Sequence, residues 1–208
     1  MSVRTESGMF SDRNLRASLT RILRRNVLAS FATVSPDGRA HINTAYYAWA
    51  EDWSLVFFSY PDSRHARNLE VNSSMAVTVF DSHQRWGKPD QGIQLFGRCR
   101  RPGRTSAILA ERVYTARFPG FERWRTRLGK EEGSFALVPF RFRPTRAKIL
   151  DEPKLGGGRF VEVRIPFSPR RRVAGRSHLA VRGVDKGRRR TRGSSERTRP
   201  TRADRRMI

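Results

Sequence analysis

Residues 55–81, LVFFSYPDSRHARNLEVNSSMAVTVFD, constrain the fold more than any other stretch of the chain. They read as an apolar strand, a polar turn carrying Ser and Arg, a short helix and a second apolar strand. A strand that ends in small polar residues and turns directly into a helix offers one anion hydroxyls, unpaired backbone N–H groups and the positive end of a helix. Ser59, Ser63, Arg64, His65 and Arg67 crowd that junction. Either Ser63 caps the helix and Arg64 and Arg67 are solvated charges, or the group forms a phosphate cradle. The context favours the cradle. Just upstream, residues 31–50 (FATVSPDGRAHINTAYYAWA) give a strand, a Pro-Asp-Gly turn and a second strand, the signature of a β-hairpin. With residues 55–60 this makes a three-stranded antiparallel meander before the basic turn.

Residues 11–28 predict the first clear helix, with Leu15, Leu19, Ile22 and Leu23 on one apolar stripe and Ser11 or Asp12 as its cap. It reads as a packing helix, with a membrane-surface role as the lesser alternative because of Arg21, Arg24 and Arg25. Strands are expected at about 30–35, 40–50, 54–60, 75–81, 92–101, 134–148 and 159–165, and helices at roughly 104–117 and 120–129. Short strands with few helices imply a closed or nearly closed barrel, which removes exposed edges. Phe57, Phe58, Val77, Val79, Leu95, Leu137 and Val163 are its expected filling. The organisation that follows is a packing helix at 1–29, a barrel domain at 30–166 and a tail at 167–208.

Charge separates the tail from the rest. The chain carries a formal net charge of +24, of which residues 1–166 contribute +12 and residues 167–208 the other +12. With no aromatic beyond Phe167 and few large apolar residues, the tail is expected to be disordered. Its Arg residues suit nonspecific nucleic-acid binding through phosphates, without aromatic platforms for base stacking. Its bias of 14 Arg to one Lys also suits a frameshift or read-through extension. One cysteine, Cys99, gives no intrachain disulfide and no zinc-type cluster. No apolar run approaches a membrane span and the N-terminus lacks a signal-like core, so the expectation is a soluble, cytoplasmic protein with no membrane partner.

The inventory of catalytic side chains is thin. His41, His65, His83 and His178 share no metal-ligand spacing, and no metal site is expected. No nucleophile elbow, dinucleotide fingerprint or P-loop is present, and Gly156 to Gly158 reads as a hairpin connection. A chain without its own nucleophile or metal borrows its chemistry from a cofactor.

Taken together, the hairpin Thr33 to Arg39, the strand Asn43 to Tyr47, the Phe57 to Ser59 and Ser63 to His65 turn, Arg67 to Leu69, and the strand Gly92 to Gly97 resemble one known family. Residues 26 to about 165 are similar to the pyridoxamine 5'-phosphate oxidase-related proteins, the FMN-binding split β-barrels. The resemblance implies a mainly β fold with flanking helices, a six-stranded antiparallel split barrel, and a homodimer with cofactor sites shared between subunits. It implies FMN as cofactor, with Ser63 and Arg64 on its phosphate, His65 where the oxidase has a Lys, and Ser59 and Arg67 in the same region. Asn43 takes the place of an oxidase Arg. The strand from Thr44 to Ala48, with Ala45 and Tyr46, runs along the flavin ring with its backbone N–H and C=O groups facing it, and Gln94, or Gln91 in another register, covers it. His65 either contributes charge, making phosphate affinity pH-dependent near its ordinary pKa of about 6.5, or is a neutral hydrogen-bonding group.

Two departures argue against the oxidase activity itself. The C-terminal Arg-Leu substrate motif has no counterpart, and the Arg and Lys that flank the family's flavin strand are Asn43 and Ala48 here. The expectation is an FMN-dependent oxidoreductase acting on an unidentified small molecule. The alternatives are a deazaflavin-dependent reductase on the same fold, and a non-catalytic flavin-binding or nucleic-acid-associating protein. Trp86 either stacks on a ligand or anchors an interface or the core.

Overall fold

The computed structural model describes residues 4–8, 12–132 and 137–166. The chain divides into two units, Met1–Ser168 and Pro169–Ile208. The expectations for the tail at 167–208 lie outside the described residues.

Among the described residues, nine strands form one sheet: β1 (Arg4–Ser7), β2 (Leu28–Val34), β3 (Ala40–Tyr46), β4 (Ala48–Trp49), β5 (Leu55–Ser59), β6 (Ser74–Phe80), β7 (Gln91–Arg100), β8 (Val138–Asp151) and β9 (Arg159–Arg164). The helices are α1 (Arg13–Arg25), α2 (Arg64–Val71), α3 (Arg104–Arg117), α4 (Phe121–Glu132) and the single turn α5 (Glu152–Leu155). Pairing runs β3–β2–β6–β7–β8–β5–β4, antiparallel throughout. Because β3 and β4 are two halves of one extended segment, the path returns on itself and encloses a six-stranded split barrel. β9 and then β1 extend the sheet beyond β8, β1 joining in parallel.

The segment expected as one strand at 40–50 is broken at Tyr47. There the chain leaves β2 and joins β5. Tyr47 is fully buried, its N–H donates to the Val27 carbonyl at 3.2 Å, and its hydroxyl donates to the Leu23 carbonyl at 2.9 Å. Burial pushes its phenol up, so the hydroxyl stays a donor. The hairpin before it is as expected: Ser35 and Arg39 close the turn, Gly38 takes a positive φ of 81°, and Val34 faces Ala40.

β8 is the longest strand because it serves two partners on one edge. Val138–Phe142 pair with β5 and Arg146–Leu150 with β9, while β7 runs along the other edge. A bulge lies at the handover. Gly97 faces Pro144, Phe96 faces Arg146, and Thr145 is left over; its carbonyl accepts from Ile165 N–H at 2.8 Å. A Cβ on Gly97 would stand 2.0 Å from the Arg143 carbonyl oxygen, so the close approach of the two strands demands glycine.

α1 is capped by Asp12, which accepts from Asn14 N–H at 2.6 Å, and it lays Leu15, Leu19, Ile22 and Leu23 into the barrel core. Burial of each such side chain contributes roughly 2 kcal/mol. Phe57, Val77, Val79, Leu95 and Val163 fill the same core, as expected. Phe58 and Leu137 do not. They pack with Val56, Tyr114 and Phe121 in a second cluster under α3 and α4. β5 is buried on both faces, which is why its sequence is a continuous apolar run rather than an alternation. No helix among the described residues is long and apolar enough to cross a membrane.

Gly97→Ala should cost more than about 2 kcal/mol through the backbone clash at the bulge. Gly129→Ala, in α4 with open space around the new methyl, should gain roughly 0.5–1 kcal/mol from helix propensity. Urea denaturation of the two variants reads both signs.

Candidate functional site

The N-terminus of α2 gathers the polar residues expected there. Ser63 is the N-cap, its hydroxyl accepting from Ala66 N–H at 3.4 Å. The Arg64 and His65 N–H groups precede the first intrahelical bond, which Arg67 N–H makes to the Ser63 carbonyl. Ser63 Oγ lies 3.1 Å from His65 Nε2, and the buried Ser59 hydroxyl reaches Ser63 Oγ at 3.5 Å. Capping and cradle are therefore compatible: one oxygen satisfies the helix while the cluster faces the turn. Arg64 and Arg67 are exposed. Arg67 donates to the Asp62 carbonyl at 2.6 Å, fastening the turn. Arg64 lies close enough to Asp37 to help hold that carboxyl below its usual range, after the Ser35 hydroxyl and the Arg39 N–H.

His65 is only 7% exposed, set between Phe57 and Phe140. Burial first, and the nearby His41 second, push its pKa down to about 4. The neutral alternative for His65 thus prevails at ordinary pH. His41 stacks with it, ring centroids 6.3 Å apart and planes within 7° of parallel.

Asn43 follows His41 by two residues on β3 and so shares its face. Its Oδ1 is buried and has no hydrogen-bond partner. Ala45 shares that face and packs against the core. Thr44, Tyr46 and Gln94 belong to the opposite, outer face. Thr44 faces Ser30, Ser30 faces Thr78, and Thr78 faces Gln94 across four strands. The structure thus brings Ser59, Ser63 and His65 together and sets Asn43 beside His41, but places Thr44, Tyr46 and Gln94 on another surface of the sheet. Beyond the pairing with β2, the other edge of β3 has no strand partner among the described residues, leaving backbone N–H and C=O groups available.

Three residues escaped sequence reasoning as neighbours of this cluster: His41, Thr33 and Asn68. Thr33 faces His41 across the ladder, and buried Asn68 donates to the Thr33 hydroxyl at 3.0 Å, tying α2 to β2. Strand alternation from Asn43 pointed to His41; nothing local pointed to the Asn68–Thr33 bond. Trp86 is fully exposed, which removes the core reading.

A family model described as pyridoxamine 5'-phosphate oxidase matches residues 15–150, from α1 through most of β8. The chain belongs to the pyridoxamine 5'-phosphate oxidase family. No curated protein matches the sequence. Among solved structures, this family member is similar to a protein of unknown function from Agrobacterium tumefaciens, with 21% identity, a TM-score of 0.55, and coverage of 67% of this chain and 57% of that one. A conserved hypothetical protein from Mycobacterium tuberculosis is 18% identical, with a TM-score of 0.56 over 75% of this chain and 93% of that one. A heme binding protein from Mycobacterium smegmatis is 15% identical, with a TM-score of 0.55 over 71% and 57%. The chain thus spans a little over half the length of the Agrobacterium and M. smegmatis proteins. These likenesses establish the split-barrel fold.

His65 should leave a mark on stability. It is neutral in the folded chain down to about pH 4, whereas in the unfolded chain it takes up a proton near 6.5. Between those values the unfolded state binds more protons, so the contribution of His65 is full above about pH 6.5 and is lost as pH falls toward 4. Denaturation at pH 7.5 and pH 5 should show a smaller loss for His65→Asn than for the parent.

Proposed function

We propose that the chain binds FMN at the N-terminus of α2 and along the free edge of β3, and acts as an oxidoreductase on a small molecule. The observation that carries this reading is the convergence of the Ser59 and Ser63 hydroxyls and His65 on one helix N-terminus, with Arg64 at its rim. The buried, unpartnered Asn43 Oδ1 on the neighbouring strand supports it, since such an acceptor wants a donor. Family membership supplies the prior for a flavin phosphate at this turn. Bound FMN supplies hydride or electron transfer.

The residues of the chain do the rest. The Arg64 and His65 N–H groups and the positive end of α2 face the phosphate. With its proton on Nε2, His65 donates to Ser63 Oγ, whose second lone pair takes the Ala66 N–H, so the Ser63 and Ser59 hydroxyl protons would both be free to turn to a phosphate oxygen. Arg64 provides the formal charge that neutral His65 does not. The β3 edge offers main-chain donors and acceptors to the flavin ring, where orientation rather than charge is needed.

The outer face of the sheet supports a homodimer. Leu28, Ile42, Tyr46 and Phe80 are 44–64% exposed, around a row of small side chains that includes Ala32 and Ala76. A second copy laid on that face would cover apolar surface that a monomer leaves in water.

Arg64→Ala should weaken FMN binding several-fold or more, and Ser63→Ala less, read by quenching of flavin fluorescence. Unchanged affinity in both would move the phosphate elsewhere. Parallel titrations with the deazaflavin cofactor and with heme test the cofactor class, and binding of either without FMN would overturn the reading. Light scattering of the flavin-loaded protein should give twice the chain mass.

A further inference from the structure

The opposite end of α2 opens on a basic groove that the flavin reading does not use. A cavity of about 770 Å³ lies between α2, from Ala66 onward, and the bulged β7–β8 pair, floored by Ala66, Leu69 and Phe140. A second, of about 420 Å³, adjoins it; Arg98, Arg100 and Arg101 line both. The lining starts at Ala66, three residues from Ser63, and runs to the C-terminus of α2, so the groove extends from roughly 5 to 12 Å along the helix from the Ser63 end.

Charge here is concentrated and only partly compensated. Arg98 stands directly opposite Arg143 in the ladder, and Arg100 opposite Arg141, an arrangement that folding alone disfavours. Arg141 is held by Asp52 and Ser54, and Arg146 by Glu162. Arg98, Arg100 and Arg101 are exposed and make no ion pair or side-chain hydrogen bond among the described residues. Glu70 is the one acidic residue in either lining.

We propose that this groove is a second anion site, which takes a small molecule carrying two or more phosphate groups on an apolar body. Three unpartnered guanidiniums present forked donors for more than one phosphate. Arg98 and Arg100, two residues apart on one strand, are spaced about 7 Å along the backbone, enough to straddle a diphosphate. The apolar floor suits a body attached to it. A nucleic-acid strand fits less well, because the one aromatic ring at the rim, Phe96, is covered by the Arg146 guanidinium at 4.2 Å and offers no platform for a base.

The test is calorimetric titration of the full chain with inorganic pyrophosphate, in the parent, in Arg98→Ser/Arg101→Ser, and in Arg112→Ser/Arg123→Ser. The last pair removes the same charge from exposed positions on α3 and α4. The groove variant should bind pyrophosphate at least tenfold more weakly while FMN affinity stays within twofold, and the control should match the parent. Equal loss in both variants would assign binding to overall charge and overturn the proposal, as would no loss in the groove variant. A groove variant that loses affinity for a single-stranded oligonucleotide but not for pyrophosphate would overturn it in favour of a nucleic-acid surface. Should the Ser variant misfold, Arg98→Lys/Arg101→Lys keeps the charge but not the fork, and a loss of at least threefold is expected; parent-like binding would overturn the proposal.

Discussion

The barrel depends on one extended segment serving two neighbours. From Ala40 to Tyr46 it pairs with β2, and from Ala48 to Trp49 with β5. Between them Tyr47 carries the junction, and the C-terminus of α1 is built around it. Arg117, reaching in from α3, donates to the Leu23 carbonyl at 2.9 Å and the Asn26 carbonyl at 2.5 Å. The same guanidinium lies 4.7 Å from the Tyr47 ring centroid and 4.5 Å from that of Trp49. A cation at a helix C-terminus satisfies carbonyls that have no intrahelical donor and opposes the negative end of the helix. Stacked on two rings, it also gains the cation–π attraction, about 0.5–2 kcal/mol per contact depending on desolvation. One side chain thereby ties α1, α3 and the split in the barrel into a single joint.

The candidate site inherits its geometry from that closure. With β3 bound on one side only, its outer edge is left open, and α2 packs beneath the barrel through Asn68 and Thr33. Those two facts bring the N-terminus of α2 to the face of β3 that carries His41 and Asn43. Burial then sets the chemistry. His65 lies among aromatic rings and beside a second imidazole, so it is a neutral hydrogen-bonding group, and positive charge at the turn falls to exposed Arg64. The two ends of α2 differ accordingly: one offers hydroxyls and backbone N–H groups, the other a crowd of guanidiniums over an apolar floor.

Much of this was legible in the residues because it is local. The strand expected at about 30–35, the Pro-Asp-Gly turn, the apolar stripe of α1 and the Ser63 cap are each specified within a few positions, and each formed within two residues of where it was expected, the strand as Leu28–Val34. The continuous run LVFFS was less legible. It announces a strand buried on both sides but not which face meets the barrel and which the helices, so Phe58, expected in the barrel, lies under the helices instead. β1, joined in parallel to β9 across the length of the chain, has no local signal at all.

By itself, the sequence determined the antiparallel strands, the helix that fills the barrel and the polar helix start, since periodicity and capping act over neighbouring residues. Only the tertiary structure decided that the strand at 40–50 breaks at Tyr47, that His65 is buried beside His41 and uncharged, and that Asn43 and Gln94 face different sides of the sheet. It alone set Arg98 against Arg143. These outcomes depend on register and on the desolvation that packing imposes, and both are properties of residues far apart in the chain.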